Sequence, residues 1–448
     1  MPMRHLVRTA AVVVTLATGL TAAAFAVGGQ HGDGPSGTGR AGAVPPAGRA
    51  ALDRVGSGDL GRSIGTLQAH LRARPGDAAG WATLGAAYVE QARTTGDPTR
   101  YPQAQKALAR SLSAQPRDND PALAGRAALA AARHDFRGAL RDADRALKVN
   151  PYSERALAVR VDALVELGRY DDAYAAAKRA DARRPGIPAF TRLAYVLELR
   201  GDPSGARRVL LRARKSASAP GDVAYVATAL GQLAWSQGRF PQARAHYADA
   251  LRADPRHLPA LEGRGRTRAA TGDLAGAARD LEKVVRRYPL PAELAALGEV
   301  YEARGDRARA REQYDVAATW IDLARANGVA TDLDSALIAA DHGDRTEALR
   351  AARAEWGRRH SVHTADALAW ALHRAGRDRE ALRYAKSAAA PGYRSAAFLY
   401  HRGVIEKSLD DPAAAHRHLT AALDLNPAFS PTAARAAKAA LKALDAAR

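Results

Sequence analysis

Apolar positions fall into two regimes along the chain. One uncharged, largely apolar run, Thr9 to Val27, lies near the N-terminus behind Arg4 and Arg8. After it, extended alternating runs rich in Val, Ile and Thr are missing, and apolar residues alternate irregularly with polar ones. Ala, Leu, Arg and Glu are all good helix formers, so the local preference is helical nearly throughout. Gly and Pro return as punctuation. Between them one phrase recurs: Gly238-Arg239-Phe240-Pro241-Gln242-Ala243, then Tyr247, Ala250-Leu251 and Pro255. It returns as Gly168-Arg169-Tyr170-Asp171-Asp172-Ala173, and as Gly272-Asp273-Leu274-Ala275-Gly276-Ala277. Further copies surround Gly58, Gly201, Gly305, Gly343 and Gly376, with variants at His134 and Asp410. The pattern predicts pairs of helices, the second of each pair opening just after the glycine.

The small residue five places after each glycine serves as a ruler. It falls at Ser63, Ala104, Ala139, Ala173, Ala206, Ala243, Ala277, Ala310, Ala348, Ala381 and Ala415, mostly in steps of about 33 to 35 residues. First helices carry a matching signature: Trp81, Leu84-Gly85 and Tyr88 in one unit, Leu294, Leu297-Gly298 and Tyr301 in another. From Leu52 to Pro427 the chain thereby resembles the tetratricopeptide repeat family, whose period is about 34 residues. The resemblance implies an all-α, right-handed superhelical solenoid of stacked helix-turn-helix hairpins. Each element has a physical role. Gly or Ala in the eighth place of the first helix lets the second helix cross closely, and the turn glycine takes the positive φ that ends a helix. Pro near the end stops the unit. One hairpin cannot bury its apolar face alone, so neighbours stack. The first unit reads as a second helix only, and Ser430 to Arg448 reads as a capping helix.

The N-terminus reads as an address. Ala24-Phe25-Ala26 fits a signal-peptidase site with cleavage after Ala26, while the preceding run of about 19 residues is also near the length of an uncleaved membrane anchor. Residues 1–27 are therefore an export signal or anchor, and the chain is expected to be secreted or held on the extracytoplasmic side. Residues 28–49 are too rich in Gly and Pro to fold and form a tether. The array divides into an N-terminal part, 50–328, and a C-terminal part, 329–427, with 428–448 as the cap. The irregular stretch from Thr319 to Thr331 predicts a bend between the two parts.

Composition narrows the chemistry. The chain has no Cys, which removes disulfides, thiolate metal sites and a cysteine nucleophile. Its formal charge is +20 at pH 7, which suits anionic surroundings such as a wall polymer or lipid head groups. Nucleic acid is disfavoured by the export address. Neither a Walker-type phosphate loop nor HExxH is present, and the repeats leave no room for a catalytic domain. A binding role without a cofactor is expected, not an enzyme.

In the family the first helices line a concave groove that takes protein or peptide partners. The resemblance points to Arg155, Asp162, Tyr195, Gln232, Trp235, Glu262, Arg266, Glu299, Asp366 and Trp370 as groove residues. This groove is mixed to acidic, whereas the arginine surplus lies on second helices and turns, including Arg207, Arg208, Arg212, Arg286, Arg307 and Arg311. The family's clamp for a C-terminal carboxylate needs an Asn that this groove lacks. Seven of the thirteen histidines lie between His342 and His418. His363, Asp366, Trp370 and His373 are spaced to share one helix face, with Asp341, His342, Tyr400 and His401 on flanking helices. Ordinary repeat packing explains that face. Two alternatives are a ligand patch anchored by Trp370, and a Zn²⁺ or Ni²⁺ site of His363, Asp366 and His373.

Overall fold

The computed structural model describes residues 60–446. The signal or anchor, 1–27, and the tether, 28–49, lie outside the described residues. Those described are about 80% helical, with 22 α-helices, one short 3-10 helix and no strand. Helix α1 (Leu60–Ala73) stands alone. Ten hairpins follow. The first five are α2 (Ala78–Thr95) with α3 (Tyr101–Ala114), α4 (Asp120–Ala132) with α5 (Phe136–Val149), α6 (Glu154–Glu166) with α7 (Tyr170–Arg183), α8 (Ile187–Leu199) with α9 (Pro203–Ser216), and α10 (Pro220–Ser236) with α11 (Phe240–Ala253). The others are α12 (Leu258–Ala270) with α13 (Leu274–Val285), α14 (Pro291–Ala303) with α15 (Arg307–Ala326), α16 (Asp332–His342) with α17 (Arg345–Arg358), α18 (Val362–Arg374) with α19 (Asp378–Ala388), and α20 (Ala396–Ser408) with α21 (Pro412–Leu425). Helix α22 (Ala433–Ala446) closes the stack.

The repeated phrase translates directly into backbone. Every ruler residue is the fourth residue of a second helix, or of α1, and all are buried. The turn glycine is left-handed at Gly168, Gly201, Gly238, Gly272, Gly305 and Gly376, and His134 (φ 61°) and Asp410 (φ 58°) take the same conformation at the variant positions. Gly343 is the exception, with φ −131°. Helix α16 has 11 residues, shorter than the other first helices, so the chain leaves it in an extended conformation. After the turn, an aspartate (Asp135, Asp202, Asp273, Asp306, Asp344 or Asp411) caps the second helix through its carboxylate.

Packing follows from the eighth places. The side chain eighth in a second helix enters the space left by glycines of two successive first helices. A Cβ on Gly231 would sit 2.7 Å from the Tyr247 ring, and one on Gly263 only 2.2 Å from it. Leu108 fills the equivalent slot between Gly85 and Gly125. Tyr247 and Leu108 are each about 1% exposed. A core of Ala and Gly with single large plugs keeps the helices close, and each plug contributes roughly 1.5 to 3 kcal/mol of burial.

The superhelix closes on itself. Loops of the first hairpins meet loops of later ones 191 to 196 residues further along the chain. The His134 ring bonds the Ala330 carbonyl at 2.8 Å. The Tyr170 hydroxyl accepts from the Val362 amide at 2.7 Å, and Asn426 donates to the Trp235 carbonyl at 2.8 Å. Gly168, Gly201 and Gly238 lie against the backbone of His360, Gly392 and Leu425. That separation is roughly five and a half repeats of the family's length, so one superhelical turn rests directly on the next. The stretch from Thr319 to Thr331 takes part: α15 runs to 20 residues, Trp320 donates to the Gly96 carbonyl at 3.4 Å, and Ala330 donates to Arg133 at 3.0 Å.

Candidate functional site

First helices face the superhelix axis, and closure turns their polar residues toward one another. Asp162 on α6 and Arg192 on α8 form a buried two-point pair at 2.9 and 2.7 Å. Arg192 also donates to the carbonyls of Ala158 and Pro188, so its guanidinium is committed to structure. Glu262 and Arg266 pair at 3.6 Å on α12, and the Arg266 guanidinium lies 4.4 Å over the Trp235 ring. Gln232 accepts a weak 3.3 Å bond from the Tyr247 hydroxyl. Glu299 accepts from Ser430 at 3.0 Å, tying α14 to the segment before α22.

A second set of interior residues is incompletely satisfied. The Tyr195 hydroxyl, the Trp235 indole N–H and one Glu293 oxygen are buried without a hydrogen-bond partner. Glu198, Glu293, Glu299, Asp334 and Asp341 have no Arg, Lys or His within ion-pair reach among the described residues. Burial pushes their carboxyl groups up: Glu198 and Asp341 to about 7, Asp334 to about 6, Glu293 and Glu299 well above the ordinary range. Burial lowers the Arg155 guanidinium, with Glu90 and Glu154 nearby. Arg155, Tyr195, Glu198, Asp334 and Asp341 keep some accessible surface. Together these make a polar, partly accessible surface on the first helices.

The C-terminal patch assembles, but as core. Trp370 donates to Asp341 at 2.9 Å, and His401 stacks on the Trp370 ring at 4.2 Å while holding Asp366 at 2.9 Å. Tyr400 lies 6.0 Å from Trp370. Trp370, Asp366 and His401 are respectively 3%, 2% and 0% exposed, so this face is filled from within and offers no free ligand surface. The proposed metal triad does not converge. Asp366 is taken by His401, His373 pairs with Asp378 at 2.6 Å, and His363 packs against Tyr393 and Phe398. No group of three or more candidate ligands gathers anywhere among the described residues.

Sequence reasoning missed the residues that close the turns. Arg359, following α17, bridges Glu355 and, across the turn boundary, Glu166. No local pattern marks a partner nearly two hundred positions away. The letters Gly61-Arg62-Ser63-Ile64-Gly65 match the spacing of a hydrolase nucleophile elbow. Ser63, however, is a buried ruler residue inside α1, not the tip of a strand-to-helix turn.

Residues 228–292 match a tetratricopeptide repeat family model. No curated protein matches the chain. Similar solved structures include the APC/C hetero-tetramer Cut9-Hcn1, at 13% identity over 89% of both chains with a TM-score of 0.40. A tetratricopeptide repeat protein from Parabacteroides merdae is 18% identical over 58% of this chain and 98% of its own, with a TM-score of 0.35. PilW, a type IV pilus biogenesis factor, is 23% identical over 44% of this chain and 90% of its own, with a TM-score of 0.37. Repeats of this type generally mediate protein–protein interaction and are typically non-catalytic. The stretch similar to the tetratricopeptide repeat model spans α10 to α14, and the same helical-hairpin geometry runs from α2 to α21.

Proposed function

We propose that this chain is a non-catalytic scaffold displayed outside the cytoplasmic membrane, and that the axis of its superhelix takes an extended, cationic segment of a protein partner. The observation that carries the reading is the set of interior carboxylates, Glu198, Glu293, Glu299, Asp334 and Asp341, which burial keeps raised although Arg266, Arg359, Arg374 and His401 act on four of them from beyond ion-pair distance. A lysine- or arginine-bearing peptide would supply direct counter-charges and restore the ionised carboxylates, and unsatisfied groups such as the Tyr195 hydroxyl would receive backbone partners. Export is supported by the basic start, the uncharged run and Ala24-Phe25-Ala26. No helix among the described residues is long and apolar enough to cross a membrane. Exposed arginines on the second helices, such as Arg207 and Arg208, suit an anionic wall polymer or lipid head groups in that compartment.

Fluorescence anisotropy with an extended Lys/Arg-rich peptide and its Glu-rich counterpart tests the groove. The cationic peptide should bind, with proton release on binding, and the Glu198→Gln/Glu293→Gln/Glu299→Gln variant should lose that binding. Equal binding of both peptides, or no loss in the variant, would rule the interior out. A phosphatase reporter fused to the C-terminus, active only outside the cytoplasm, tests the address. Activity that survives deletion of residues 1–27 would refute export by that segment.

A further inference from the structure

The outer face carries a cleft that the groove reading leaves unused. It is a shallow cleft between the neighbouring second helices α9 and α11, over α10, and is open to solvent on one side. Leu230 and Leu233 form an apolar floor, while Arg207, Arg239 and His246 stand on the rim with Gln242. The floor is buried and both arginines are exposed.

The cations on this rim are uncommitted for a reason visible in the repeat. Four second helices begin after an arginine in place of the capping aspartate: α3 after Arg100, which pairs with Asp97 at 3.3 Å, α7 after Arg169, α11 after Arg239 and α19 after Arg377. In α7 the arginine pairs with Asp172 at 2.6 Å, three residues on, and in α19 with Glu380 at 2.5 Å. In α11 the corresponding position is Gln242. Among the described residues Arg239 therefore pairs with no carboxylate, and Arg207 on α9 with none either. The acidic residues capping or within these two helices are engaged: Asp202 caps Gly205 at 2.7 Å, and Asp249 pairs with Arg252. Burial, together with the Arg207 charge, holds the His246 imidazole below its ordinary value despite the opposing pull of Asp249. Three cationic or protonatable groups stand over an apolar floor.

We propose that this cleft binds a small amphiphilic organic anion: a carboxylate or phosphate monoester head held by Arg207 and Arg239, with a short apolar body on Leu230 and Leu233. An arginine pair suits both heads, since guanidinium groups meet carboxylate and phosphate oxygens through two N–H bonds. The apolar floor explains why the rim is not simply a solvated charge cluster. Bound anion would also offset the Arg207 charge at His246 and raise that imidazole.

Calorimetric titration of the full chain with octanoate and octyl phosphate tests the site, with octanol and inorganic phosphate as the separated halves. Both amphiphiles should bind at one site, and neither half should match them. Each of Arg207→Ala and Arg239→Ala should weaken binding about tenfold, while Arg244→Ala, also exposed on α11 but outside the cleft, should leave it unchanged. All three side chains are on the surface, so the variants retain the fold. The His246 resonance should titrate at higher pH in the presence of octyl phosphate. The relative affinity of the two amphiphiles assigns the head group. Absence of binding by either, equal loss in Arg244→Ala, or inorganic phosphate matching octyl phosphate would overturn the proposal.

Discussion

Replacing Gly168 by alanine tests whether successive superhelical turns truly touch. Gly168 sits at φ +75°, and a Cβ there would lie 2.2 Å from the His360 carbonyl oxygen and 2.8 Å from its carbon. Ordinary contact needs about 3.5 Å, so the two turns would have to part by roughly 1 Å at that point. Internal controls exist in the same repeat phrase. Gly272 and Gly305 share the left-handed conformation, at φ +93° and +85°, yet a Cβ on either meets nothing within 4 Å. Gly272→Ala and Gly305→Ala should therefore cost only the left-handed strain, about 1 to 2 kcal/mol. Gly168→Ala should add an overpacking penalty of about 1 to 3 kcal/mol. Gly201→Ala belongs with it, its Cβ falling 2.7 Å from the Gly392 oxygen. Urea midpoints measured on the four variants give the comparison, and small-angle scattering should show elongation in the inter-turn pair alone. Equal midpoints for Gly168→Ala and Gly272→Ala, with unchanged scattering, would refute closure of the superhelix in solution.

Other outcomes follow from the same geometry. Between about pH 4 and 7 two opposed effects act on stability. Glu198 and Asp341, raised to about 7 by burial, hold protons that the unfolded chain has lost, so their contribution falls as pH rises through that range and is gone above about 8. His134, kept near 4 by burial, and His342 and His363, kept near 3, let the unfolded chain take up protons first, so their contribution falls as pH drops below about 6.5. Glu198→Gln should raise the melting temperature at pH 8 and leave it nearly unchanged at pH 5, and a uniform shift at both would contradict this. Arg359→Met, which strands Glu166 in the interior and leaves Glu355 only its pair with Arg358, should destabilise by about 3 to 5 kcal/mol, and a cost under about 1 kcal/mol by denaturant titration would show that the bridge does not form. Leu108→Ala empties the slot between Gly85 and Gly125 and should cost about 3 to 5 kcal/mol. Calorimetry with Zn²⁺ or Ni²⁺ should show no heat that His363→Ala/His373→Ala removes, and a micromolar site lost in that variant would restore the metal reading.

Local structure was highly legible. Ala173 or Ala243 reports its own surroundings, since a fourth-place side chain must fit against the first helix of its own hairpin. His134 and Asp410 were legible as turn residues for the same reason, standing where the other copies have glycine. The partners of Asp366 and Trp370 were within reach too, because they sit on flanking first helices about one repeat away. What spacing did not carry was their burial. Whether Trp370 faces a partner or the interior depends on the pitch of the superhelix, and pitch sums small rotations over every hairpin. Arg359 meeting Glu166 depends on that same sum, so nothing near either residue announces it.

Contact between turns changes the dimensionality of the molecule. An open solenoid is a line, in which each unit feels only the unit before and after it, and units are gained or lost without consequence for distant ones. Here each early hairpin also has a neighbour about a full turn away, as the His134–Ala330 and Tyr170–Val362 bonds show, so the array behaves as a rolled two-dimensional lattice. Deleting one hairpin from its middle would shift every later loop by one lattice place. Gly201 would no longer face Gly392, nor Trp235 face Asn426, and all the seams would be lost together. Such an array should unfold with the cooperativity of a globular domain, and its length should resist the gain and loss of units by which linear repeat arrays vary.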